Sequence, residues 1–541
     1  MGERWRPSSS VSSSMFLYGS LTIHPSSCGG SPESNAQVLC MMHMMCIVHF
    51  MTTTLPAEPR AAMTPPAVPS GAIIFVLSVA GITASLMQTL VIPLIGDLPT
   101  ILGTSASNAS WVITVTLLTA AVATPVSGRL GDLYGKRRMM LVCASALVAG
   151  SVVCALAASV VPMIIGRGLQ GAGMGLIPLG ISAMRDILPA EKLGTAIALM
   201  SASMGVGGAL GLPIAAAVAE NSSWRVLFWG AAAMALLICV LIATLIPAAS
   251  ADTSSGPRAR FDVIGAVGLG IGLVCLLLGV SKGGDWGWGS PTTVSLLVSS
   301  VVVLLAWGWF ELRTAAPLVD LRVTARPVVL LTNIASLVLG FAMYAQMLIL
   351  PQLLQIPSQT GYGLGQSMFQ MGLWMAPGGL MMMLISPLGA KLSHLRGPRI
   401  TLALGALVVS IGYLAAVVLM GSTWGILIAV CICSAGVGLA YGAMPALIMG
   451  SVPMSETGSA NSFNTLMRSV GTSLSAAVVG VVLAQMTTDF GPVSLPSETG
   501  FRTGLLLGAA VALVAAGVAM AIPTRASRAA EESIEHAAVP A

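Results

Sequence analysis

Charge is the scarcest commodity in this sequence. Asp, Glu, Lys and Arg together make up 8% of its 541 residues, with only 19 acidic residues and five His. A soluble domain of this length needs far more polar surface to stay in water. The net charge of +5 is small, and its distribution along the chain carries more information than its sum, so no nucleic-acid partner is expected. No acid or His falls well inside an apolar run: His24, His43, His49 and His536 are near the termini, and His394 lies between two runs. No cluster of His, Asp and Glu, no Ser/His pair and no metal-ligand spacing lies near the apolar runs. An integral-membrane enzyme is therefore disfavoured, and no metal or cofactor is expected. Cys143, Cys154, Cys239, Cys275, Cys431 and Cys433 all sit inside apolar runs. There they read as small buried hydrophobes, not as a disulfide framework.

Apolar length is what the chain has in abundance. Hydrophobic residues make up 56% of it, and mean hydropathy is +0.91. Runs of about 20 apolar residues recur, each long enough to cross a bilayer as a helix. The runs are continuous, not alternating, which excludes a membrane β-barrel. Fourteen spans are expected, near residues 71–95, 110–127, 139–158, 160–183, 193–219, 225–247, 262–280, 292–310, 327–350, 366–388, 400–420, 424–449, 462–487 and 502–523. The fold class is an all-α polytopic membrane protein. Sixty glycines exceed the soluble norm, and small residues let membrane helices approach closely.

Residues 1–70 are rich in Ser, Pro and Met and read as a flexible cytoplasmic leader, with residues 1–50 expected to precede the native start at Met51. The run Val38 to Phe50 is too short to span and lacks the basic residues of a signal peptide. Its Cys40, His43 and Cys46 have helical spacing for soft metal ligands, but a chance arrangement is the simpler reading. Orientation follows from Lys and Arg. With the N-terminus inside, the inner loops carry Arg129, Lys136, Arg137, Arg138, Arg185, Lys192, Arg258, Arg260, Arg313, Arg322, Arg326, Lys391, Arg396 and Arg399, and the tail carries Arg525 and Arg528. The outer loops carry Arg225, Lys282 and Arg502. Both termini are expected in the cytoplasm.

The segment PVSGRLGDLYGKR (Pro125 to Arg137) has an ungapped echo in PLGAKLSHLRGPR (Pro387 to Arg399). The first joins spans two and three, the second spans ten and eleven. If these correspond, residues 71–247 and 327–523 are two six-helix bundles. Residues 248–326 then hold a linker and two inserted helices, and 524–541 form a cytoplasmic tail. Parallel repeats of this kind suit a transporter that rocks two halves about a central site.

GRLGDLYGKRR resembles the loop signature of the major facilitator superfamily, with Gly128, Asp132, Gly135, Lys136 and Arg137 in place and Leu133 where a basic residue is usual. GRGLQGAGMG (Gly166 to Gly175) resembles the fourth-helix motif of that family, and SMGVGGALGLPIAAAVAE its fifth-helix antiporter motif. FDVIGAVGLGIG with ELRTAAPLVDLRV resembles the extra helix pair of the fourteen-helix drug:proton antiporter branch (EmrB/QacA type). SETGSANSFNTLMRSVGTSLSAAV resembles the thirteenth helix of that branch. The resemblance implies a secondary transporter in a bacterial inner membrane. It would export lipophilic small molecules in exchange for protons and act as a monomer in the lipid bilayer. The alternatives are an uncoupled or anion-linked carrier of neutral or anionic compounds, and a non-transporting scaffold or sensor.

The resemblance also implies roles. Gly128, Arg129, Asp132, Gly135, Lys136 and Arg137 would form a cytoplasmic gating loop. Asp132 would sit at a helix N-terminus and pair with Arg129 or Arg137. The competing reading is that these bases only fix topology. Gly205, Gly208, Gly211 and Pro213 would make the fifth span a bare packing face, and Leu212 splits the usual Gly-Pro pair. The cavity would be lined from spans one, four, nine and twelve, by Gln88, Thr89, Arg167, Gln170, Asn333, Tyr344, Gln346 and Tyr441. A buried Arg167 is costly and so marks function, unless it snorkels to the headgroups. Asn461, Asn464 and Arg468 share a polar stripe and read as an interior bridge. One expected residue is missing. The branch carries an Asp in span one where this chain has Met87, so the nearest candidate for proton coupling is Asp97, whose other reading is an exposed helix end.

Overall fold

The computed structural model describes residues 68–91, 94, 98–104, 106–247, 261–490 and 493–523. The leader with Cys40, His43 and Cys46, the candidate acid Asp97, the link with Arg258 and Arg260, and the tail with Arg525 and Arg528 lie outside the described residues.

Among the described residues, fourteen helices are long and apolar enough to cross a bilayer. They are α1 (Ser70–Thr89), α2 (Ala106–Tyr134), α3 (Lys136–Leu156), α4 (Val160–Ile187), α5 (Ala190–Asn221), α6 (Arg225–Leu245) and α7 (Val263–Trp286). The remainder are α8 (Pro291–Glu311), α9 (Pro327–Gln355), α10 (Met368–Arg396), α11 (Pro398–Leu419), α12 (Thr423–Met449), α13 (Thr457–Gln485) and α14 (Glu498–Ala521). Each coincides with one expected span. An antiparallel hairpin, β1 (Thr487–Phe490) and β2 (Val493–Pro496), joins α13 to α14.

Helix limits depart from hydropathy where charge interrupts an apolar run. The expected loop at 128–138 is almost all helix, because α2 continues to Tyr134 and α3 resumes at Lys136. The joint is Gly135, whose φ of 100° a side chain would strain. The sequence echo has the same joint: α10 runs to Arg396, and Gly397 has a φ of 88°. Beyond each joint the echoed arginines do the same work. Arg137 donates to the Ala243 carbonyl in the last turn of α6, and Arg399 donates to the Met520 carbonyl in the last turn of α14. Carbonyls in a last turn lack an intrahelical donor and carry the negative end of the helix dipole, so a guanidinium suits them. Helices entering from the opposite end begin behind serines. Ser290, Ser367, Ser422 and Ser497 accept backbone N–H groups at the starts of α8, α10, α12 and α14.

Among the described residues, three larger apolar cores organise the bundle, beside a small one of Val329, Ile448 and Val452. One gathers Leu77, Leu147, Leu179, Met200, Phe228 and Ile242 from α1 and α3–α6. A second gathers Leu339, Ile349, Tyr413, Ile426, Phe501 and Ala512 from α9, α11, α12 and α14. In the third, Leu269, Leu273 and Trp307 of the α7–α8 pair meet Leu118 of α2 with Phe463 and Leu466 of α13. The α7–α8 pair therefore covers the seam between α2 and α13. Lipid tails are as apolar as these side chains, so helix association depends on close packing. Paired glycines supply it. A Cβ on Gly150 of α3 would lie 2.5 Å from the Gly166 carbonyl of α4, and one on Gly405 of α11 would lie 2.6 Å from the Gly436 carbonyl of α12.

One charged residue is placed differently from the sequence expectation, and a second is buried at a helix end. Lys282, expected in an outer loop, is inside α7 and buried, with its ammonium 5.5 Å from the Trp111 ring centroid. Glu311 is buried at the end of α8, where its carboxylate accepts the Val319 N–H at 2.7 Å and so folds the α8–α9 connection back on the helix end.

Candidate functional site

Three polar assemblies interrupt the apolar interior. The first stands where α2 crosses α13. The crossing is tight because Gly128 lacks a side chain: a Cβ there would lie 2.6 Å from the Gly458 carbonyl. Asp132, one turn further along α2, is thereby set over the first turn of α13. Backbone N–H groups in a first turn have no intrahelical acceptor. Asp132 Oδ1 accepts from Gly458 N–H at 2.9 Å, and Oδ2 accepts from Ser459 N–H at 2.8 Å. Glu456, at the N-cap position of α13, makes no side-chain capping bond, so the cap comes from the other half of the chain. The anion also faces the positive end of the α13 dipole.

Lys136 extends this assembly. Its Nζ lies 4.0 Å from Asp132 and 2.7 Å from Asp186 of α4, and it donates to Thr457 Oγ1 at 2.7 Å and to the Ser182 carbonyl at 3.3 Å. Ser182 Oγ donates to the Thr457 carbonyl at 2.9 Å, Asn461 Nδ2 donates to Ser182 Oγ at 3.3 Å, and Arg185 reaches the Val452 carbonyl at 3.4 Å. Among the described residues, the hydrogen bonds joining α1–α6 to α9–α14 all gather at this end. The expected partners of Asp132 are corrected here. Arg137 is engaged with Ala243 of α6, and Arg129 Nε has no hydrogen-bond partner, so Lys136 is the cation beside the carboxylate. Asp132 lies near the C-terminal end of its own helix, and the N-terminus it satisfies belongs to α13. Asp186, Ser182, Thr457, Gly458 and Ser459 were not singled out by sequence. Gly458 and Ser459 carry a faint signal, since small and hydroxyl residues open the run of α13.

The second assembly surrounds Arg167, which is 2% exposed. Nη1 donates to Gln170 Oε1 at 2.6 Å and to the Met87 carbonyl at 2.9 Å, while Nε donates to the Val112 carbonyl at 3.3 Å. Gln170 Nε2 donates to Ser151 Oγ at 2.9 Å and lies 3.6 Å from Met87 Sδ. One guanidinium thus ties α4 to α1 and α2, and through Gln170 to α3. It is enclosed, so it does not snorkel. No described carboxylate pairs with it, and the thioether of Met87 fills the space beside Gln170 and Ser151.

The third assembly borders a small cavity between α4–α5 and α12–α13. Its walls include Ile177, Ile181, Ser201, Met204, Tyr441, Asn461, Asn464, Thr465 and Arg468. Arg468 stacks over Tyr441, 4.5 Å from the ring centroid, and donates to Thr465 Oγ1 at 3.4 Å. Asn464 donates to Asn333 Oδ1 at 2.9 Å and to Ser336 Oγ at 2.7 Å, which fixes α13 to α9. Tyr441, expected in the cavity, and Arg468, expected as a bridge, therefore share one wall.

Other expected residues fall elsewhere. Thr89 is buried against α5 with its hydroxyl on the Leu86 carbonyl, so it packs two helices and does not line the cavity. Gln88 is exposed and donates to Met174 Sδ at 3.3 Å. On α9, Gln346 is buried and Tyr344 half-buried, and neither lines this cavity. The bare face of α5 is divided. Gly207 and Gly211 admit α1, with Gly208 beside Ser85, whereas Gly205 admits Met382 and Pro213 meets Gly372 of α10. So α5 packs tightly on α1 in its own half and on α10 in the other.

The Major Facilitator Superfamily profile matches residues 77–476. The chain is 28% identical over 326 residues to the MFS-type transporter YhcA of Bacillus subtilis, covering 60% of this chain and 59% of that one. It is 27% identical over 378 residues to the multidrug resistance protein Stp of Mycobacterium tuberculosis, covering 69% and 68%. It is 26% identical over 321 residues to the lincomycin resistance protein LmrB of Listeria monocytogenes, covering 59% and 66%. The alignment with the first of these thus spans less than two thirds of its length. Among solved structures, the human organic anion transporter MFSD10 superposes with a TM-score of 0.59 at 15% identity, covering 84% of this chain and 100% of that one. With the profile spanning most of its length and the fourteen helices folded in this way, the chain belongs to the Major Facilitator Superfamily.

Proposed function

We propose that the chain exports lipophilic small molecules across a bacterial inner membrane by alternating access. The observation that carries this reading is the cap on α13. A carboxylate from one half closes one end of the bundle, and a small, partly apolar cavity lies between the halves. A carrier needs such a contact to form and break as its halves rock. The excess of Lys and Arg at the Asp132 end supports a cytoplasmic location for it and for both termini. The cores support bundles at 71–247 and 327–523 with an inserted pair at 248–326. Relatives named for multidrug and lincomycin resistance favour drug-like cargo and the outward direction. The protein acts as a monomer, and protons are the exchanged ion.

Proton exchange is tested in everted vesicles by recording proton movement as cationic, neutral and anionic lipophilic compounds are added. Wild-type chain is expected to release protons, and Asp97→Asn to reduce that release about tenfold or more, as for loss of a titrating group essential to the cycle. Compound uptake with no proton movement would remove the proton reading. It would favour a second reading, an anion-linked or uncoupled carrier, for which the uncompensated charge of Arg167 speaks.

A further inference from the structure

Arg468 holds a buried charge that its surroundings do not neutralise. It is 9% exposed, and it lies three turns into α13 from the Asp132 end. A guanidinium has five N–H donors. Here one of them makes a single long bond, 3.4 Å, to Thr465 Oγ1, whose own hydrogen goes to the Asn461 carbonyl. The flat face rests on Tyr441. Stacking uses the face and leaves the donor edge free for planar, bidentate acceptors. No described carboxylate forms an ion pair with Arg468. Every described Asp and Glu stands near a helix end or in a connection, away from the middle of the bundle. The cavity that Arg468 lines is walled on α4 and α5 by Ile177, Ile181 and Met204, with Ser201 as the polar group there.

We propose that Arg468 is the charge-reading residue of the transport site, and that the cargo is a lipophilic organic anion whose carboxylate or sulfonate meets the guanidinium edge. This rests on the export reading above. The cavity has room for about one water, about 10 Å³, so the cargo enters only when the bundle opens there; its apolar body would then lie against the α4–α5 wall, with Tyr441 holding the guanidinium flat. Burying an uncompensated cation is costly, and an anionic cargo offsets that cost while a cationic one raises it. The site thus selects by charge as well as by lipophilicity.

The test uses three probes of one shape: 1-naphthoate, 1-naphthamide and 1-naphthylmethylammonium. Binding to the full chain in lipid nanodiscs is measured first, then movement in everted vesicles. Wild type is expected to bind naphthoate about tenfold or more tighter than the amide, with the ammonium weakest. Arg468→Gln should bring the naphthoate-to-amide ratio to about one, and Arg468→Lys should restore part of it as a point charge without the fork. A change in packing alone would weaken all three probes together and leave the ratio intact. Equal binding of naphthoate and amide by wild type, no naphthoate binding, or an unchanged ratio in Arg468→Gln overturns the proposal. The wild-type ratio stands even if a variant fails to fold. Movement of the amide or the ammonium with no preference for naphthoate would sink the anion site and leave export standing. Charge-selective binding with no movement of any probe would sink export and leave the anion site.

Discussion

Asp132→Asn is expected to lower transport at least about tenfold without unfolding the protein. The carboxylate holds two backbone N–H groups of α13, at 2.9 and 2.8 Å, and no other side chain satisfies them. An amide keeps one acceptor, loses the charge and turns a donor toward the second N–H. Hydrogen bonds to a charged group contribute roughly 1.5–3 kcal/mol each, so losing one shifts the balance between the two access states by about ten- to a hundredfold. If the contact is the latch proposed above, the shift is toward the state in which this end is open. Lys136 would then keep Asp186 as its counter-ion, so the variant does not strand a buried cation. Vesicle uptake of any transported compound measures the loss. Wild-type uptake by Asp132→Asn would mean that the contact is packing and not a latch.

Arg167→Gln is expected to abolish most transport, by about tenfold or more, while the thermal midpoint moves little. Three hydrogen bonds from one guanidinium join α4 to α1, α2 and Gln170. Their loss is offset by relief of a desolvation cost of several kcal/mol, since no described carboxylate pays for the charge. Stability and function therefore separate. Arg167→Lys should not rescue, because an ammonium cannot address acceptors on three elements from one fixed plane. Thermal unfolding in detergent and vesicle uptake, measured on the same preparations, decide this. A large drop in midpoint with a proportionate loss of uptake would reduce Arg167 to a structural tie.

The helices were legible because bilayer length and hydropathy determine them almost alone. Their ends were not. Hydropathy drops at Arg129, Asp132 and Lys136, but the backbone stays helical on both sides of Gly135, because leaving the apolar layer ends a span and not a helix. Lys282 departs for the same reason: its charge marks a loop by hydropathy, but a long stem beside Trp111 lets it stay in α7. The family was legible from the loop and fourth-helix motifs. Partners across the fold were not. Nothing near Asp132 indicates that its carboxylate reaches Gly458 and Ser459, over 300 residues away, or that Lys136 and not an arginine stands beside it. The polar stripe of α13 gave a helix face but not what the face meets. Arg468 is consequently placed on a cavity wall with Tyr441, where the stripe alone suggested a bridge. Thr89 shows the limit of reasoning from resemblance: it is expected in the cavity, yet its neighbour is Gly211 of α5.

The central claim is that the Asp132 cap forms and breaks as the halves rock. Gly458 and Ser459 report on it directly, because their N–H groups lie in the first turn of α13 and owe their protection to that carboxylate. Hydrogen exchange at these two positions should be followed in the full chain in lipid nanodiscs, without and with a compound shown to be transported. The account predicts slow exchange in the unliganded protein, faster exchange when the compound drives the cycle, and exchange in Asp132→Asn that is fast throughout and indifferent to the compound. Protection at Gly458 and Ser459 that is the same in wild type and Asp132→Asn, or that the transported compound leaves unchanged, would contradict it.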